Sequence, residues 1–189
     1  MHAQSTFDFI DEFGILKNNW AIVSQDDCQG IINKQGELVL PVKFDYIEEF
    51  GFYSRNLAVI SYNNKVGFIN RKGEIVLSPV FDYIEEFGCY SRNLALVSIN
   101  GKKGLINRKG EIVTPTIFDE IEEFGMARRG WALVKSNGKY GFIDKQVKIQ
   151  LALNYEYIDE FGIVAHHLAV VKKEGKYAMI NRRGKEIGN

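Results

Sequence analysis

Net charge, cysteine and long apolar runs are all scarce in this chain, and each scarcity excludes something. Lys plus Arg and Asp plus Glu both number 24, so the formal net charge at pH 7 is zero. No global field therefore draws the chain to nucleic acid or to a membrane surface. The two cysteines, Cys28 and Cys89, are too few and too far apart in phase for a disulfide framework or a metal-ligand spacing. No run approaches 18 apolar residues, and no cationic segment followed by an apolar one stands near the start; the expectation is a soluble, cytoplasmic protein. Of three histidines, His166 and His167 are adjacent, and neighbours along a strand point to opposite faces, so they are not expected to ligate one metal. No serine or cysteine has the partners a nucleophile needs, no Gly-rich loop precedes a helix, and Gly101-Lys102 and Gly138-Lys139 read as turns and not as phosphate loops. No cofactor motif, no metal site and no catalytic constellation is expected.

What is present is a repeat. Glu-Phe-Gly occurs five times, ending at Gly14, Gly51, Gly88, Gly125 and Gly162, always 37 residues apart. The copies run 7–43, 44–80, 81–117, 118–154 and 155–189, and the second and third agree at 26 of 37 positions. A fixed period of this length means a propeller or a solenoid, here as a single repeat domain over residues 1–189.

Within each copy the pattern is strand and turn, giving an all-β fold of five tandem 37-residue repeats. Asn100-Gly101 and Asn137-Gly138 each separate two apolar runs, the signature of a two-residue hairpin with both turn residues at positive φ. A second reversal at Arg71-Lys72-Gly73, Arg108-Lys109-Gly110 and Arg182-Arg183-Gly184 leads into a short branched strand such as Glu74-Ile-Val-Leu. Phe-Asp-x-Ile-Glu-Glu-Phe-Gly follows as a fourth extended piece. Its apolar residues, such as Phe118, Ile121 and Phe124, recur every three positions, which suits neither a strand nor a helix.

Leu94–Val97 and Ile75–Leu77 are apolar on consecutive residues, so both faces are expected to be covered, as in stacked small sheets. A five-bladed β-propeller is favoured over the alternative, an open β-hairpin superhelix, because a solenoid needs polar terminal caps. The chain also begins with the fourth strand, Phe7–Phe13, and stops after the third, Lys185–Ile187. In a ring these would complete one sheet together and remove free edges.

Gly138-Lys-Tyr-Gly-Phe-Ile-Asp, the Gly-centred turn, the branched strand, Pro, Phe-Asp-x-Ile and Leu-Ala-Val-Val together resemble the WG-containing repeat of bacterial proteins, over residues 7–187. The Trp that names the repeat is replaced by Gln29, Val66, Lys103, Tyr140 and Tyr177. The resemblance implies a binding module with no catalytic residues to carry across.

Two sets of residues compete for function. The repeated acids, Asp8, Asp45, Asp82 and Asp119 at one position and Asp11-Glu12 through Asp159-Glu160 at another, could ring a central channel and hold a cation through hard oxygens, or support an enzyme there. The reading preferred is that they cap turns and pair with Arg71-Lys72 and Arg108-Lys109, since five equivalent acids give no one of them the distinct environment catalysis needs. The segment after Glu-Phe-Gly varies instead. Its first residue, Ile15, Phe52, Cys89, Met126 or Ile163, is apolar throughout and is expected in the core. The next three vary, and loops on one face of a repeat scaffold carry binding residues. Tyr53, Arg55, Tyr90, Arg92, Arg128, Arg129 and His166 are the candidate binding residues, Tyr and Arg being enriched at interface hot spots. The expected partner is an unidentified protein or small ligand, with neither nucleic acid nor membrane.

Overall fold

The computed structural model describes residues 7–125 and 129–187. Among them every regular element is a strand, and the strands form five four-stranded antiparallel sheets. The first sheet holds β1 (Phe9–Ile10), β2 (Trp20–Gln25), β3 (Cys28–Asn33) and β4 (Leu38–Phe44); the second holds β5 (Tyr46–Ile47), β6 (Leu57–Tyr62), β7 (Lys65–Asn70) and β8 (Ile75–Phe81). The third is β9 (Tyr83–Ile84), β10 (Leu94–Ile99), β11 (Lys102–Asn107) and β12 (Ile112–Phe118). The fourth is β13 (Glu120–Ile121), β14 (Trp131–Ser136), β15 (Lys139–Asp144) and β16 (Ile149–Tyr155). β17 (Tyr157–Ile158), β18 (Leu168–Lys173), β19 (Lys176–Asn181) and β20 (Glu186–Ile187) make the fifth. Strands follow chain order in every sheet. The repeating unit is therefore the four-stranded sheet found in propeller blades and not a bare hairpin.

Two expectations about phase are corrected here. The Phe-Asp-x-Ile segment is not a fourth strand but a crossing between sheets: Phe118 ends β12, Asp119 bends, and Ile121 belongs to the next short strand. Phe118 and Ile121 are both buried, each in its own sheet, so a spacing of three reflects two elements and not one period. Likewise β1 pairs with β2, Phe9 opposite Ser24, and the fifth sheet has its own first strand β17. Each sheet is complete from consecutive strands, without sharing Phe7–Phe13 and Lys185–Ile187 between them.

The hairpins form as their turn residues dictate. β2–β3, β6–β7, β10–β11, β14–β15 and β18–β19 all close with two residues at positive φ: Asp26-Asp27, Asn63-Asn64, Asn100-Gly101, Asn137-Gly138 and Glu174-Gly175. This turn matches the right-handed twist of the strands it joins. The second reversal is an Asx turn. Asn33 Oδ1 accepts from the Gln35 and Glu37 amides at 3.0 and 2.9 Å, and Asp144 Oδ1 from Gln146 and Lys148 at 2.9 Å each.

β3–β4 pairing jumps from Gln29↔Phe44 to Ile31↔Leu40, and the equivalent jump occurs in the next three sheets. The extra residues of the outer strand bulge over Gly30, Gly67, Gly104 and Gly141. A Cβ on Gly104 would lie 2.7 Å from the Thr114 carbonyl oxygen and 2.9 Å from Pro115. The glycine is required by its own sheet's backbone, not by the adjacent repeat.

The chain divides into two compact units, one running to Ile84 and including Arg108–Glu111, the other holding Glu85–Asn107 and the chain from Ile112 onward. In the first, Trp20, Ile31, Leu40 and Phe44 pack against Ile47, Ala58, Ile60 and Ile69 of the following sheet. In the second, Leu105 and Phe118 pack with Val134 and Ile143, and Trp131, Phe142 and Tyr155 with Val171 and Ile180. Face-to-face stacking explains why Leu57–Ser61 and Leu94–Val97 are buried at consecutive positions. The outer strands do not follow: Ile75 is 44% exposed while Leu77 is 5% exposed, so one face of β8 is open, contrary to expectation. Each fully buried Phe or Ile contributes about 1.5–3 kcal/mol.

Candidate recognition loops

The loops after Glu-Phe-Gly in the first, second, third and fifth copies share the glycine and the closing turn. Phe anchors: Phe50 lies on Trp20 with ring centroids 6.3 Å apart, and Phe161 on Phe142 at 6.1 Å. Gly then takes φ near +110°, for example +116° at Gly51, a region where only glycine is relaxed. The loop closes in a tight turn: the Leu57 amide donates to Ser54 O at 3.0 Å, Leu94 to Ser91 O at 2.9 Å, Leu168 to Ala165 O at 2.9 Å and Trp20 to Lys17 O at 2.8 Å. Arg55, Arg92 and His166 occupy the second position of their turns and are exposed.

In the second and fifth sheets the Asx turn stands at the same end as the loop and supports it. Arg71 Nε donates to Arg55 O at 3.0 Å while its guanidinium covers the Phe50 ring at 4.7 Å. Arg182 donates to His166 O at 3.0 Å. Lys17 Nζ reaches Arg71 O at 2.8 Å and lies 4.2 Å from the Trp20 ring centroid. Arg71, expected to pair with an acid, instead holds a loop carbonyl, and Arg182 does the same.

The candidate residues separate on this geometry. Tyr53 is half-buried, stacked edge-on to Phe68 at 5.6 Å, with its hydroxyl donating to Ile84 O at 3.2 Å. Tyr90 is half-buried against the Leu94–Phe118 core. Both tyrosines are part of the packing that fixes their loops. Arg129 is exposed beside Gly130, while Arg128 lies outside the described residues. The first loop residue is not core: Ile15 is 43% exposed, Phe52 68% and Ile163 64%, and Cys89 is also exposed, whereas Leu16 is buried. Met126 lies outside the described residues.

At the other end of each sheet the repeated acid caps the hairpin. Asp45 Oδ2 accepts from the Asn64 amide at 2.9 Å and from the buried Ser61 hydroxyl at 3.0 Å, Asp8 from the Asp26 amide at 2.9 Å, and Glu156 from the Gly175 amide at 3.3 Å. Cationic partners include Lys65 to Asp82, Lys102 to Asp119 and Lys139 to Glu156. The Lys102 hydrogen bond holds Asp119 below the usual carboxylate range, Lys139 does so for Glu156, and the Asn64 amide for Asp45. Glu122 moves the other way: partial burial, then Glu120 and Glu160, raise it. Among the described residues no three His, Cys, Asp or Glu side chains are placed to hold a metal ion, and no helix is long and apolar enough to cross a membrane.

The chain belongs to the WG containing repeat family, which matches residues 30–65, 67–102, 104–140 and 140–177. The first three matches begin on the bulge glycines Gly30, Gly67 and Gly104, which the outer strand crowds. No curated protein sequence matches the chain. Solved structures similar to it include Kluyveromyces lactis Hsv2 at 12% identity and TM-score 0.32, covering 90% of this chain and 59% of that one. AztD of Citrobacter koseri is similar at 12% identity and TM-score 0.32, covering 98% and 58%. BamB of Moraxella catarrhalis follows at 11% and 0.30, covering 96% and 64%. The chain thus spans about three-fifths of the solved chains it matches.

Proposed function

We propose that this WG-repeat chain is a non-catalytic recognition module that engages a protein partner through the loop turns carrying Arg55, Arg92, Arg129 and His166. The observation that carries this reading is a contrast within each loop. The turn backbone is fixed, by the same closing hydrogen bond in four copies and by Arg71 and Arg182 on the carbonyls of Arg55 and His166. The side chains displayed on that backbone are exposed: Asn18 in the first copy, arginine in the next three and His166 in the fifth. A preorganised backbone lowers the ordering cost of binding, and the arginine fork suits carboxylate or phosphate groups on a partner.

Replacing Arg55, Arg92 and Arg129 together by Ala tests it, with the triple Lys variant alongside. The Ala variant is expected to keep its thermal transition, because exposed charges contribute roughly 0–1 kcal/mol each, and to lose the partner captured from the native host. The Lys variant keeps charge without the planar fork and is expected to capture weakly. Full capture by a folded Ala variant would place recognition elsewhere.

A further inference from the structure

A second feature lies away from those turns, where β8 meets the β6–β7 hairpin. A cleft of about 570 Å³ is lined by Lys43, Tyr62, Lys65, Ile75, Pro79 and Val80. It is an open cleft and not an enclosed cavity, mostly apolar with a few polar groups, and its size falls within the range of small-molecule sites. The apolar wall exists because the outer strand leaves one face open: Ile75 is 44% and Val80 48% exposed.

Asn63 and Ser78 also line the cleft and are neutral, so the charged groups define the ligand. Lys65 is paired with Asp82. Asp45, which does not line the cleft, is occupied by the Asn64 amide and Ser61 hydroxyl. Lys43 has no carboxylate partner among the described residues; its ammonium stands 5.4 Å from the Phe44 ring centroid and 5.6 Å from that of Tyr62, the two rings meeting edge to face at 6.4 Å. One uncompensated ammonium beside an exposed phenol ring and aliphatic wall selects a single negative charge on an apolar body.

The repeat supplies a second, independent argument. Position 43 is Val80, Ile117 and Asn154 in later copies, and position 62 is Gln25, Ile99, Ser136 and Lys173 elsewhere. Neither position keeps one residue type through the repeat, so scaffold packing shared by all copies does not require Lys43 and Tyr62 to meet at one place.

We propose that this cleft binds a small organic monocarboxylate, its carboxylate on Lys43 and its apolar body between Tyr62 and the Ile75–Val80 wall. The test is titration calorimetry of the full chain with naphthalene-2-carboxylate, against the neutral naphthalene-2-carboxamide. Saturable one-to-one binding of the acid and at least roughly tenfold weaker binding of the amide are expected. Lys43→Met should weaken the acid by roughly tenfold while leaving the amide unchanged, and Tyr62→Ser should weaken both. Lys34→Met, which removes the same charge from the opposite end of the first sheet, should bind like wild type. No saturable binding, equal affinity for acid and amide, or an equal loss in Lys34→Met would each overturn the proposal. Failure of the loop variants to change partner capture would leave this result untouched, because no residue is shared.

Discussion

Tyr155 donates its hydroxyl to Glu186 Oε1 at 3.0 Å, joining the end of β16 to the start of β20. The earlier copies have Phe7, Phe44, Phe81 and Phe118 in the tyrosine's place, and Leu38, Ile75, Ile112 and Ile149 in the glutamate's. Both positions change together, exchanging an apolar pair for a hydrogen-bonded one. Burial and then the Glu186 contact push the Tyr155 phenol up from 10.0 to about 12. A proton held more tightly in the folded state gives stability that is complete below pH 10 and disappears as pH rises toward 12. Tyr155→Phe is therefore expected to lose about 1–2 kcal/mol at pH 7.5, with the difference from wild type shrinking between pH 10 and 12. Denaturant unfolding of both proteins across that window measures it; a difference independent of pH would mean the bond contributes nothing specific.

Gly104→Ala is expected to destabilise by about 1–3 kcal/mol through overpacking, since the new Cβ would stand 2.7 Å from a backbone carbonyl that the bulge holds in place. Ala178, the equivalent residue of the fifth sheet, faces no such crowding among the described residues, where β19 pairs β20 only at Met179↔Ile187 and Ile180↔Glu186. Ala178→Gly should cost no more than about 1 kcal/mol. A pair of urea titrations compares them, and equal effects at the two sites would show that the outer strand yields.

The first hairpin uses Asp26-Asp27 at φ 50° and 60°, where the third and fourth copies use Asn-Gly. Asp8 already caps this turn, so three carboxylates meet on one reversal. Asp26→Asn with Asp27→Gly is expected to stabilise by about 1 kcal/mol, through relaxed backbone and reduced repulsion. Melting curves at low and high salt separate the two contributions: the electrostatic share fades with salt, and a variant that melts below wild type at both would refute the argument.

Much of this protein was legible in the chain itself because its strongest signals are local. The 37-residue period, the positive-φ turns at Asn100-Gly101 and Asn137-Gly138, and the reversal after Asn33 or Asn181 follow from turn residues acting on their own backbone. What needed the tertiary structure was everything set by a neighbour distant in sequence. Phe118 and Ile121 look like one odd period until they fall in two sheets. Phe52 is exposed and Leu16 buried because loop direction depends on what the turn packs against. Arg71 holds a carbonyl and Lys65 an acid, pairings that charge alone left open, since either cation could serve. The Gly104 requirement came from the backbone of Thr114 and Pro115, which only the bulged register brings within contact.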